Sequence, residues 1–161
     1  MPSATIEKKP TSKRRYSPAL IVGAFVGAFT VGAGAAPAIA GSASSAFGYY
    51  TVASVQYRNM AHIVTSPGSA LAGSYATGES TSVPAGRAGA RGRLFYDSGT
   101  MACEGSNTYN ASTLPRGHYI AGFSCTRTTA GLAWYSYGVT LAFNGSGYNS
   151  VYTFRTVSQN S

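Results

Sequence analysis

Residues 133–143 read AWYSYGVTLAF and residues 144–157 continue NGSGYNSVYTFRTV. The odd positions of the first run are Ala133, Tyr135, Tyr137, Val139, Leu141 and Phe143, and Trp134, Ser136, Gly138, Thr140 and Ala142 stand between them. A period of two marks a strand, because successive side chains leave a strand on opposite faces. Asn144-Gly145-Ser146-Gly147 supplies residues that accept the left-handed backbone a tight turn needs, so the two runs predict an antiparallel β-hairpin.

Working back towards the N-terminus, the same alternation recurs in shorter pieces. Tyr49 to Arg58 predicts one strand, Met60 to Thr65 a second, and Ser66-Pro67-Gly68 a turn in which Pro presets one dihedral and Gly takes a positive one. Leu71 to Thr77, Arg93 to Asp97 and Arg116 to Cys125 add further strands, separated by Gly78, Pro84, Gly86, Gly89 and Gly92. No run after Gly41 repeats apolar residues at helical spacing over three turns. The expected fold is all-β, a small antiparallel β-sandwich or open barrel forming one domain over residues 49–161. Residues 41–48 carry little apolar surface and predict a flexible N-terminal arm.

The first eighteen residues hold Lys8, Lys9, Lys13, Arg14 and Arg15, and residues 19–40 are uncharged and rich in Ala, Gly and Val. A basic region, an apolar region and the small-x-small pattern Ala38-Ile39-Ala40 predict a signal peptide over residues 1–40, cleaved between Ala40 and Gly41, and hence secretion with no membrane attachment afterwards. Cys103 and Cys125 both lie in the exported part, where an even count predicts a disulfide. Neither a Cys-x-x-Cys pair nor a zinc-like His spacing is present, so no metal or cofactor is expected.

The formal charge is +8, but the leader carries five of the twelve basic residues and one of the four acids. The exported part keeps seven arginines, no lysine, and Glu79, Asp97 and Glu104. Scattered arginines do not make the dense basic face of a nucleic-acid binder. Hydrolysis needs a positioned nucleophile and base or paired carboxylates, and His62, His118 and three acids form no motif with the serines. The expectation is a non-enzyme. Candidate partner-binding residues are Phe47, Tyr49 and Tyr50 on the arm, the cluster Arg87, Arg91 and Arg93, whose guanidinium forks suit carboxylate or phosphate, and Trp134, Tyr135 and Tyr137. The bland alternatives are a loose tail, a charged edge that blocks self-association, and core packing.

Taken together, the long basic leader, Val83-Pro84-Ala85-Gly86, Arg91-Gly92-Arg93-Leu94-Phe95, the two cysteines and Tyr137-Gly138-Val139-Thr140-Leu141 resemble the small secreted adaptor subunit of the umbrella toxin particles of Streptomyces and related actinobacteria. The resemblance is one of layout over most of residues 49–157. It implies a β-sandwich without enzymatic activity that joins a large repeat-containing toxin chain to a lectin subunit by strand complementation, in competition between bacteria. The family offers no catalytic motif to match, so no residue role follows from it. A secreted carbohydrate- or cell-wall-binding β module is the alternative function.

Overall fold

The computed structural model describes residues 40–161, so residues 1–39 of the expected leader, Ala38 among them, lie outside the described residues. Within them the protein is all-β, with antiparallel sheets and one disulfide, Cys103–Cys125.

The first sheet is built on two long strands, β3 (Val55–Ser66) and β4 (Ser69–Gly78), joined by Pro67 and Gly68, the latter at a φ of 73°. This is the turn that Ser66-Pro67-Gly68 predicts. Along β3 the buried and outward residues alternate strictly: Tyr57, Asn59, Ala61, Ile63 and Thr65 point inward. The outer edge of β3 is covered by β1 (Gly41–Ser44) and β2 (Gly48–Val52), both antiparallel to it. The expected loose arm is therefore corrected: Gly41–Ser44 is a strand, and Gly48 belongs to the next one. From Ser44 to Gly48 the chain advances four residues while its partner goes from His62 to Asn59, so one residue bulges out near Ala46. Main-chain hydrogen bonds build this strand, and they need no apolar side chains.

The expected single strand Tyr49–Arg58 is likewise two strands. It folds back at Ala53 and Ser54, whose φ values of 48° and 64° make a two-residue hairpin of the type that matches strand twist.

The hairpin read from residues 133–157 is present but bent. β10 (Ala133–Ser136) and β11 (Val139–Phe143) belong to different sheets, with Tyr137 and Gly138 at the bend. β5 (Ala88–Arg91) and β6 (Arg93–Tyr96) bend in the same way at Gly92. One of the two sheets orders β6 between β10 and β7 (Met101–Glu104), with β13 (Gln159–Asn160) beyond β10; the other orders β5 between β11 and β8 (Thr108–Tyr109), with β12 (Tyr148–Tyr152) beyond β11. The last strand of the first sheet, β9 (Ile120–Phe123), pairs with β4 and is shorter than the expected Arg116–Cys125, because Pro115 and Gly117 hold a turn before it.

Both bends are glycines for a packing reason. A side chain at Gly138 would run into Ser74 of β4, and one at Gly92 into the backbones of Ala72 and Phe123. The bent strands thus press their corners onto the first sheet. Two apolar clusters lie on either side of these corners. Val52, Tyr57, Val83, Ala88 and Ala142 form one; Ile63, Ala70, Ala72, Leu94 and Trp134 form the other. Burying a large side chain of this kind stabilises by about 1.5–3 kcal/mol. Between the clusters runs a polar seam: the hydroxyl of Tyr50 donates to Thr140 Oγ1 at 3.1 Å, Asn59 Nδ2 donates to the same oxygen at 2.9 Å, and Thr140 donates onward to the Val151 carbonyl. The disulfide joins β7 to the residue two past β9, so it staples one sheet to another.

Candidate functional site

On one side of the molecule the bordering strands of different sheets come together. The β1–β2 border meets the chain segment that runs from β12 to β13. A Cβ on Gly48 would lie 3.8 Å from the Phe154 ring, and one on Gly41 would meet the Gln159 side chain. Between Val139↔Tyr152 and Trp134↔Gln159 one chain retreats five residues while the other advances seven, so two extra residues bulge from this border. Phe154, Arg155 and Val157 are outward there, whereas Thr153 and Thr156 hold the ladder through Gly138 and Ser136.

The bulged stretch between β12 and β13 turns Phe154 and Val157 outward, and they are exposed together with two residues of regular strand, Tyr49 and Tyr152. Val157 is 69% exposed, Tyr49 58%, Phe154 57% and Tyr152 54%. Large apolar side chains in such a group are a marker of contact surfaces. The main chain is available beside them. Val52 and Val55 close the two-residue hairpin as a hydrogen-bonded pair, so by alternation Tyr49 and Thr51 turn their N–H and C=O groups away from β3.

Next to this border the sheet face carries a ladder of rings. Tyr137 stacks on Tyr152 with centroids 5.4 Å apart, and Tyr135 stacks on Phe95 at 5.1 Å. The Arg93 guanidinium stands 5.0 Å from Phe95, 5.8 Å from Tyr137 and 5.6 Å from Tyr152, while Arg155 lies 3.7 Å over Tyr135 and donates to Asp97 at 2.8 Å. Cation–π contacts of this kind contribute about 0.5–1 kcal/mol each at exposed sites.

No family model matches the chain, and no curated protein or solved structure matches it.

The aromatic residues singled out from the sequence fall into three groups. Phe47, Tyr49 and Tyr137 are outward or half-buried, with Arg58 lying 4.5 Å over the Phe47 ring. Tyr50 points inward and stacks on Tyr57 at 5.3 Å. Burial pushes its phenol up to about 12, with the Thr140 hydrogen bond acting the other way. Trp134, expected as a possible partner contact, is 0% exposed, donates from Nε1 to Ser161 Oγ at 2.9 Å, and is corrected to a core residue; Tyr135 is nearly as buried. Adjacent residues on a strand face opposite ways, yet both are covered: Trp134 by the first sheet, Tyr135 by Phe95 and Arg155.

The arginine cluster divides. Arg91 and Arg93 each reach Glu104 at 3.6 Å, while Arg87 lies 5.6 Å over the Phe143 ring beside Tyr148 and Tyr109. Glu79 is held by Arg58 and Asp97 by Arg155, so each of the three described acids has a guanidinium partner. His62 accepts or donates a hydrogen bond with Ser44 Oγ at 2.9 Å across the β1–β3 pair, and burial lowers its pKa. Among the described residues no group of three His, Cys, Asp or Glu is placed to hold a metal ion. Phe154 and Val157 were missed because alternation through residues 148–157 gave no hint of the two bulges that turn them outward.

Proposed function

We propose that the protein is a secreted, non-catalytic adaptor whose β-sandwich docks an extended segment of a partner protein along the β1–β2 and β12–β13 border, by strand complementation. The observation that carries this reading is the coincidence, on one border, of outward main-chain groups at Tyr49 and Thr51 with the exposed side chains of Tyr49, Tyr152, Phe154 and Val157. Main-chain bonds to an added strand supply affinity and the alternate side chains supply specificity. The engaged acids support a binding role over hydrolysis, since each described carboxylate is paired with an arginine and none among the described residues orients the imidazole of the Ser44–His62 pair as a triad requires. Export fits the same picture: cleavage after Ala40 leaves Gly41 to open β1, with its N–H donating to Thr65 Oγ1 at 3.2 Å.

In the assembled form the partners are a large repeat-containing toxin chain and a lectin subunit, within an extracellular antibacterial particle. The test is co-purification of tagged protein from culture medium, with Phe154→Ala/Val157→Ser against the parent. Retention of much larger secreted chains by the parent and their loss from the variant, with unchanged circular dichroism, is the expected result. Equal retention by both removes this border as the docking site, and edman sequencing that finds residues 1–40 still attached removes the export step.

A carbohydrate- or cell-wall-binding role is favoured by one observation, the half-exposed Arg93–Tyr137–Tyr152 ladder, because aromatic faces beside polar groups stack on sugar rings. Trp134 is too deeply buried to report such binding. Tyr152→Ala on a cell-wall glycan array separates the readings: loss of glycan signal supports the lectin-like role, and no signal from the parent ends it.

A further inference from the structure

We infer that the chain exchanges its N-terminal strands, residues 41–52, with a second copy of itself, pivoting at Ala53 and Ser54. Ala53 and Ser54 are the non-glycine residues with positive φ among those described. The left-handed region brings Cβ against the following carbonyl oxygen, so L side chains are disfavoured there. Turns of this kind ordinarily use Asn-Gly or Asp-Gly. Here neither position has that chemistry, and the alternation of Tyr50, Val52 and Ser54 with Thr51, Ala53, Val55 and Tyr57 runs straight through the turn. The local sequence prefers an extended link where the monomer needs a reversal. Short hinges under strain are the usual origin of exchanged dimers.

The topology permits the movement. β1 and β2 form the outer border of their sheet, pair among the described strands with β3 alone, and are joined to it covalently through Ala53–Ser54. They can leave and return without breaking the β3–β4 or β4–β9 ladders. The groove they leave is specific: the Tyr50 ring fits over Tyr57, its hydroxyl reaches Thr140, and Val52 enters the core with Val83 and Ala142. A second copy supplies the same side chains at the same register, so the dimer remakes every one of these contacts and additionally straightens both hinges. A foreign strand without that Tyr-x-Val spacing does not. The inference stands on the hinge and the groove and does not depend on any toxin or lectin partner.

The experiment places cysteines at Tyr49 and Arg58, a directly opposed pair across β2 and β3, in protein purified from culture medium. The double variant is unfolded in denaturant with its native disulfide intact, refolded at low and at high concentration, oxidised, and mapped by mass spectrometry with heavy- and light-isotope chains mixed. At high concentration, bonds joining position 49 of one chain to position 58 of another are expected, in a species of twice the monomer mass. In the parent background, Ala53→Asn/Ser54→Gly weakens the dimer at least a hundredfold, on the scale of roughly tenfold for each left-handed residue relieved. Deleting Ala53 and Ser54 gives dimer at every concentration. Bonds between 49 and 58 that remain within one chain at all concentrations overturn the inference. So does a dimer whose cross-links never unite those two positions, or a protein that yields residues 41–52 to a foreign peptide while staying monomeric.

Discussion

Tyr50→Phe is expected to change how stability responds to alkaline pH. Burial raises the Tyr50 phenol to about 12 in the folded chain, against a free value of about 10. A raised folded pKa means that the unfolded chain ionises first. The stability this group contributes is therefore complete below about pH 10 and is lost as pH rises towards 12. Two units correspond to about 3 kcal/mol in all, and roughly half of it is gone by pH 11. Phenylalanine keeps the stack on Tyr57 but gives up the hydroxyl bond to Thr140, at a cost of about 1 kcal/mol. Thr140 keeps Asn59 and the Val151 carbonyl as partners, so no buried group is orphaned. In urea titrations followed by circular dichroism, the variant should be about 1 kcal/mol less stable than the parent near pH 8. The two curves should then cross just below pH 11, and above the crossing the variant is the more stable. Tyr75 is also raised by burial, but it is present in both proteins and cancels in the difference, whereas Tyr57, stacked on Tyr50, contributes to the raised Tyr50 value and belongs to the same effect. Parallel curves between pH 9 and pH 12 would refute the placement of Tyr50 in the seam.

Three further outcomes are accessible to the same titration. Cys103→Ser/Cys125→Ser, which opens a loop of sequence separation 22, should lower stability by roughly 3 kcal/mol in the chain-entropy view; an unchanged urea midpoint would contradict a closed bridge. Gly138→Ala and Gly92→Ala should each destabilise severely, Gly92 more, because its three obstacles are all backbone whereas the nearest obstacle at Gly138, the Ser74 hydroxyl, can rotate away and leaves only the Ser74 Cβ and the Arg91 carbonyl; a wild-type midpoint for Gly92→Ala would argue against the bent-strand packing. Ser161→Ala leaves the Trp134 indole N–H without its partner and should cost about 1–3 kcal/mol, with a shift in Trp134 emission as the independent check.

Much of the architecture is legible because period-two patterning reports which faces are covered. The Pro67-Gly68 turn, the Asn144–Gly147 turn and the pairing of Cys103 with Cys125 all follow from local chemistry. Strand boundaries are less legible where the chain changes sheet. At Gly138 and Gly92 the alternation continues through the bend, and only the proximity of β4 and β9 forces a glycine there. The β1 strand left no trace in residues 41–44, since pairing through main-chain groups is independent of side-chain hydrophobicity. At the candidate border, Tyr49 was recognisable as an aromatic on an extended segment. Phe154 and Val157 were not, because their exposure comes from a register slip set by a partner strand twenty residues away.

Asn110 sits inside the loop that the sulfur bridge encloses. Its side chain accepts from the Ala88 N–H and donates to the Val83, Pro84 and Ser112 carbonyls, so this otherwise turn-rich stretch is fastened at its middle as well as at its ends. In a medium containing proteases, a single cut between Glu104 and Ser124 frees neither half: the fragments stay covalently joined, and each remains laced to the sheets. Nicked molecules would run as two bands only after reduction and would circulate as one particle until then.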